Sequence, residues 1–197
     1  GSENVLCRTG EHNVLGDHPD SKPVFDLEAV GLLQAATGLM DGKDMAGEEL
    51  KGSPKFFLGA VVTPGADPVE PQIMRMEKKI EAGARFFQTQ AIYDTDRFAE
   101  FMGQVDGFDV PVLGGIVLLK SAGMARLMNK NVSGINVPDH LINRLKADKE
   151  KTKSGETAVE IAVETIRSLK DLCQGVHIMP LGWDHLVPEI IDRAGLN

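Results

Sequence analysis

The sequence predicts a parallel α/β fold, and three observations carry the prediction. Five short apolar runs recur along the chain, among them Phe56-Phe57-Leu58-Gly59-Ala60-Val61-Val62 and Val112-Leu113-Gly114-Gly115-Ile116-Val117. They are continuous rather than alternating, as in strands covered on both faces. A stretch of helical period lies between each run and the next, and strand–helix alternation belongs to a parallel sheet, doubly wound or closed into a barrel. The clearest unit is central: a charged helix over 71–81, a glycine stop at Ala82-Gly83, then an apolar strand through Phe86-Phe87. Glycine takes the left-handed conformation that such a stop requires.

The elements follow in order. Asn4-Val5-Leu6-Cys7 reads as a strand, and the polar stretch 11–23 after it has no apolar periodicity. Asp26 is placed to cap a helix through Met40, with Leu27, Val30 and Leu33 on its apolar face. Residues 41–54 form a polar connection with one helical turn expected around 48–50. After the strand at 56–62, Thr63-Pro64-Gly65-Ala66-Asp67-Pro68 makes a loop on its C-terminal side. Asp94 caps a helix through about Val105, and the strand at 110–117 tolerates Pro111 near its start. Helices are expected at 121–129, at 138–147 opened by Pro138, and over 155–173. Residues 146–154 read as a charged loop or helix end. A last strand, 176–180, precedes a helix over 184–194. Met74, Met76, Met124 and Met128 fall at helical positions and read as core filler.

The chain has 197 residues, 42% of them hydrophobic and 25% charged, with a net charge of −8. That suits one domain with a real core, taken here as 1–197. No basic block exists, so nucleic acid and anionic membranes are not expected partners. No run of about 18 apolar residues offers a membrane span, and no signal-peptide pattern opens the chain. Cys7 and Cys173 read as two buried thiols in a reducing compartment, which makes the cytoplasm the expected location. The chain opens on Gly1-Ser2 with no initiator methionine, so it is expected to begin inside a larger gene product.

Ligand-facing groups in such folds are expected at strand C-termini. Gln88, Thr89, Gln90 and Tyr93 close the central strand, although a glutamine bonded within its own loop is the simpler account of Gln90. Glu11 sits just past the first strand, where a carboxylate could steer charge at a cofactor or accept paired N–H donors. An exposed loop acid is the commoner case. His12, Asp17 and His18 lack a helical i, i+4 pair, so no metal site is expected. His177 lies inside an apolar strand and reads as a core histidine. Lys78 and Lys79 could meet a phosphate or simply pair along the helix surface. Gly114-Gly115 lacks the third glycine and the helix-opening context of a dinucleotide fingerprint.

Taken together, the motifs resemble the methylenetetrahydrofolate reductase family, FAD-dependent folate enzymes of one-carbon metabolism. The matching pieces are Leu6-Cys7-Arg8-Thr9-Gly10-Glu11-His12, Pro23-Val24-Phe25-Asp26-Leu27, and the 64–68 loop. They continue with Lys78-Lys79-Ile80-Glu81-Ala82-Gly83-Ala84, Thr89-Gln90-Ala91-Ile92-Tyr93-Asp94, Gly114-Gly115-Ile116 and Asn136-Val137-Pro138. The run of lysine, alanine and glycine into Thr-Gln and an aromatic-Asp pair is the most specific. The resemblance implies a (β/α)8 TIM-barrel type of fold binding FAD across the strand C-termini. About five of the eight βα units are present, as its C-terminal part.

The resemblance also implies roles. Thr9, Gly10 and Glu11 belong to a loop touching flavin and pterin, with Glu11 the catalytic candidate. Phe25 matches an aromatic position near the cofactor, and Thr63 and Asp67 lie in a loop contacting FAD. Lys79 matches a basic residue pairing with the FAD diphosphate, and Gln90 matches a glutamine that hydrogen-bonds the folate. The implied reaction is hydride transfer from reduced flavin to the methylene carbon of methylenetetrahydrofolate, giving methyltetrahydrofolate. The electron donor would be NAD(P)H or a ferredoxin-linked partner. Glu11 stands where the family usually carries aspartate and reaches one methylene farther. The glutamate expected as general acid would lie in the missing strands, supplied by the rest of the barrel or by another subunit. The rival readings are a non-catalytic half-barrel scaffold in a one-carbon complex and another barrel enzyme with a phosphate-bearing ligand.

Overall fold

Five strands arise from the five apolar runs, and in the computed structural model they form one sheet in chain order, β1-β2-β3-β4-β5. The structure describes residues 3–10, 13, 18–24, 26–147 and 149–196. The strands are β1 (Asn4–Cys7), β2 (Phe57–Val62), β3 (Phe86–Ala91), β4 (Val112–Val117) and β5 (Gly175–Met179). The helices between them are α1 (Ala29–Met40), α2 (Glu70–Glu81), α3 (Thr95–Val105), α4 (Ala122–Asn131), α5 (Asp139–Ala147), α6 (Lys149–Ser154) and α7 (Glu156–Leu169), with α8 (Val187–Ala194) last. This is the predicted parallel α/β architecture, with the strand count of part of a (β/α)8 barrel. Among the described residues no helix is long and apolar enough to cross a membrane. The chain divides into two compact units, Gly1–Val61 with Met74–Phe87 and Val62–Ile73 with Gln88–Asn197.

In the first unit β1 pairs in parallel with β2, from Asn4↔Phe57 to Cys7↔Ala60. α1 starts three residues beyond the expected Asp26 cap. The Glu28 carboxylate folds back to accept the Val30 and Gly31 amides, so Glu28 is the N-cap. Thr9 Oγ1 accepts the next free amide, that of Ala29, at 3.2 Å. Gly83 has the left-handed φ of +111° expected after α2, and a side chain there would run into the Thr37 hydroxyl. That hydroxyl donates to the Ala82 carbonyl at 2.9 Å, which ties α1 to the end of α2. The 41–54 connection holds no helical turn at 48–50. Instead Lys43 and Glu49 form an antiparallel bridge, closed by the Asp44 carboxylate accepting from the Ala46 and Glu48 amides. Phe57 and Phe86 stack with ring centroids 5.4 Å apart, over a Gly59 whose missing side chain leaves room for the Phe86 ring. Met76 is buried as expected, whereas Met74 is 60% exposed; positions two apart on a helix do not share a face.

The second unit holds most of the core. β4 pairs in parallel with β5, from Leu113↔Gly175 to Val117↔Met179. Asp94 caps α3 as expected, accepting the Arg97 amide at 3.0 Å, and Ser121 caps α4. α7 buries Ala158, Val159, Ile161, Ala162, Ile166 and Leu169. A side chain at Gly114 would press on Leu169, so Gly114 lets this helix lie against β4. The charged stretch expected as a loop or helix end is mostly helical, forming α6. Thr152 anchors it, buried and donating to the Leu145 carbonyl at 2.8 Å. His177 is half-buried rather than a core residue, as is every residue of β5, which stands last in the strand order. Cys7 is buried and Cys173 half-buried, both as free thiols.

Candidate functional site

In the second unit the C-terminal end of β3 is held by an unusual exchange of hydrogen bonds. Gly115 N–H of β4 donates to the Thr89 hydroxyl at 2.9 Å. That hydroxyl in turn donates to the Gln90 carbonyl at 2.7 Å. The two strands approach so closely that a Cβ at position 115 would lie 2.5 Å from the Thr89 carbonyl oxygen and 2.7 Å from that of Gln90. Gly115 is therefore required by backbone approach. Thr89 is buried while the neighbouring Gln90 is exposed. The Gln90 amide has no hydrogen-bond partner among the described residues, so the account of it as a loop-closing glutamine fails there. Three residues on, Tyr93 buries its ring and donates its phenol to the Val117 carbonyl at 3.0 Å. Burial raises the Tyr93 pKa far above the ordinary phenol value, which keeps this donor protonated.

The loop after β2 belongs to the same unit. Its Ala66 amide donates to the Thr63 carbonyl at 3.2 Å, which folds it into a turn. The Arg97 guanidinium, one turn into α3, donates through Nη2 to the Ala66 carbonyl at 2.7 Å. On another side the loop touches Gly134: a side chain at Gly65 would strike the Gly134 carbonyl, and one at Gly134 would strike the Thr63 methyl. Gly134 also has φ +79°. The connector carrying it is fastened by Asn129, which donates to the Val137 carbonyl at 2.9 Å and accepts the Val137 amide at 2.6 Å. Asp67 is exposed and lines a groove of about 510 Å³ with Glu70, Asp94, Arg97 and Glu100. After β4, Lys120 donates to the Leu181 carbonyl and lies 5.1 Å over the Trp183 ring.

The first unit holds the other predicted residues. Lys79 is only 8% exposed, and its ammonium donates to the Val61 carbonyl at 2.7 Å. A helix-surface lysine was one of the two sequence readings, and burial removes it. Desolvation lowers the Lys79 pKa, nearby Arg75 lowers it further, and Glu28 at the head of α1 acts in the opposite sense. Thr9 and Gly10 are exposed, and a side chain at Gly10 would meet nothing within 4 Å. Glu11 and Phe25 lie outside the described residues.

Thr63, Asp67 and Gln90 thus fall in one unit, with Thr9, Gly10 and Lys79 in the other. Sequence reasoning named Thr89 among the polar groups closing β3 but not its brace to Gly115, and it passed over Gly115 and Arg97 as parts of this site. The signal for the brace was present, a threonine before the exposed amide and a paired glycine in the next strand. Arg97 left no such signal, since a charged residue in the first turns of a helix reads as solvated.

The sequence matches the profile described as methylenetetrahydrofolate reductase over residues 52–195. The chain belongs to the methylenetetrahydrofolate reductase family. Among curated relatives, methylenetetrahydrofolate reductase 1 of Schizosaccharomyces pombe is 30% identical over 66% of this chain and 22% of its own length. Methylenetetrahydrofolate reductase 2 of the same yeast is 29% identical over 100% of this chain and 32% of its own. The chain therefore spans between a fifth and a third of the length of these reductases. One solved structure, an uncharacterized protein from Clostridium thermocellum that binds two copies of 5-methyl-5,6,7,8-tetrahydrofolic acid, is similar with a TM-score of 0.48 and 19% identity. That match covers 71% of this chain and 52% of the other.

Proposed function

We propose that this chain is the C-terminal part of a methylenetetrahydrofolate reductase barrel, one domain over 1–197, that binds FAD and a reduced folate. The observation that carries the reading is Gln90, an exposed amide without a hydrogen-bond partner among the described residues, on a strand end braced through Thr89 and Gly115. An amide offers one acceptor and two donors in a plane, which matches the alternating donors and acceptors of a pterin edge. The brace fixes the Gln90 backbone, so little freedom is lost when a ligand meets the amide.

The residues present also fit FAD. Lys79 keeps an ammonium in a desolvated place, donating to the Val61 carbonyl and to no other group among the described residues. An anionic diphosphate would offset the desolvation that now lowers its pKa. Gly10 leaves its surroundings open for a ring system, with Thr9, Thr63 and Asp67 as further flavin contacts, and with Phe25 and Glu11 added from the resemblance. When bound and reduced by the electron donor, the flavin would supply the hydride that reduces the methylene carbon of the folate. Gln90 orients the pterin, Glu11 places a carboxylate beside it, and Lys79 holds the diphosphate. The proposal includes NAD(P)H or a ferredoxin-linked partner as electron donor, the remaining strands from the rest of the barrel or another subunit, and a cytoplasmic setting.

The test is the visible spectrum of the purified chain with FAD added, followed by titration with methyltetrahydrofolate. A flavin band co-eluting with the protein is expected, and Gln90→Ala should weaken folate binding about tenfold while leaving flavin bound. Loss of both ligands together would make Gln90 structural, and no flavin binding even beside the missing strands would remove the reading.

A further inference from the structure

We infer that Arg97 is a positioning residue: from α3 it fixes the loop after β2 that carries Thr63 and Asp67. The inference rests on the proposed cofactor role of that loop, and it concerns a residue outside the motifs that carry the family resemblance.

The argument starts from the loop's own weakness. Thr63 to Pro68 contains two prolines, which donate no hydrogen bond, and a glycine, which resists no rotation. Its internal support is one turn bond, Ala66 N–H to the Thr63 carbonyl at 3.2 Å. The loop is instead held from outside on two sides. Gly134 presses against Gly65 and Thr63 and forbids movement toward the connector, but this is steric contact alone and resists displacement in one direction only. Arg97 supplies the opposing pull. Its charged N–H donates to the Ala66 carbonyl at 2.7 Å, and a bond to a charged donor is about twice as strong as a neutral one.

The place of Arg97 gives this tie its consequence. Its helix is capped by Asp94, which directly follows the segment running from Gln90 through Tyr93. A bond from Arg97 to Ala66 therefore sets the loop against the same strand end that presents Gln90. Two ligand-facing groups from different βα units are held in one frame by a single guanidinium. Tyr93, bonded to the Val117 carbonyl at 3.0 Å, keeps that frame attached to β4. Arg97 touches no ligand in this scheme and acts through Ala66.

The test compares the whole chain with its Arg97→Ala and Arg97→Lys variants by hydrogen exchange and by FAD titration. In Arg97→Ala, exchange at the Gly65, Ala66 and Asp67 amides should rise at least tenfold while β4 amides keep their protection. FAD affinity should fall about tenfold, and Arg97→Lys, which keeps a charged donor, should recover most of both. Unchanged exchange in the loop overturns the inference whether or not flavin binds. Faster loop exchange with unchanged FAD affinity also overturns it, since the tie would then be structural only. If the parent chain binds no FAD, the cofactor reading fails by itself, and loop exchange together with its lysine rescue still decides whether Arg97 holds the loop.

Discussion

The two units handle their strand ends in different ways. In the second, the groups around the exposed Gln90 amide are each tied to a neighbour: Thr89 to Gly115, Tyr93 to Val117, Asp94 to its helix, and Arg97 to Ala66. In the first, Thr9 and Gly10 lie exposed, Phe57 shows 47% of its surface, and Lys79 stands buried against one carbonyl. The difference teaches a division of labour. One unit supplies rigidity to a single presented amide, and the other supplies open surface and a desolvated charge, the features that a large anionic cofactor would cover. In the second unit a small change should be felt in stability. In the first it should be felt mainly in binding.

The sharpest way to break that contrast is at the glycines. Gly115→Val should cost roughly 3 kcal/mol, because the added side chain meets main-chain oxygens of β3 that cannot move aside as a flexible side chain would. Gly10→Ala should change stability by less than about 0.5 kcal/mol, since nothing lies near enough to clash. Urea unfolding of both variants gives the comparison directly, and similar losses at the two positions would abolish it.

Thr89→Val tests the brace without adding bulk. It deletes the hydroxyl that accepts from Gly115 N–H and leaves that buried amide without its partner, for a loss of about 2 kcal/mol. The same substitution should increase exchange at Gly115 and reduce any folate affinity together with Gln90→Ala, less than additively, because both act on one presented amide. Full additivity would mean that Thr89 stabilises the sheet without positioning Gln90.

Much of this was legible beforehand, for a physical reason. Strands buried on both faces must be continuous apolar runs, so β2 and β4 were visible, and β3 was bounded by Gly83 before it and by the Asp94 cap after it, chemistry that acts within four residues. What stayed hidden depends on partners far along the chain. Thr89 and Gly115 meet only after the sheet forms, 26 residues apart, and Arg97 reaches a carbonyl 31 residues away. Asp26 was the expected cap of α1, yet the Glu28 carboxylate accepts the free amides instead, a choice that residue type did not reveal because glutamate is not a favoured cap. His177 reads as a core residue because the run around it is apolar, yet it lies on β5, last in the strand order, where every residue is only half-buried. The resemblance reached further than periodicity for Gln90 and Lys79, while Glu11 and Phe25 rest on it alone.

The smallest expected effect on stability is also the one most specific to the first unit. Lys79→Met removes a buried ammonium of similar shape, so two opposing changes nearly cancel near neutral pH: relief of desolvation and loss of the bond to the Val61 carbonyl. The pH dependence separates them. The folded-state pKa of Lys79 lies below 10.5, so between that lowered value and 10.5 the unfolded chain holds the proton more tightly than the folded one. Stability of the parent should therefore rise with pH through this window, relative to Lys79→Met, and the whole desolvation cost should remain at pH values below it. An anionic ligand at Lys79 reverses the shift. Binding should then take up protons and weaken as pH rises through the lowered pKa, and calorimetry in buffers of different ionisation enthalpy reads that uptake. A parent and variant with parallel stability profiles, and a ligand that binds without proton uptake, would leave Lys79 a packed side chain with no part in holding a diphosphate.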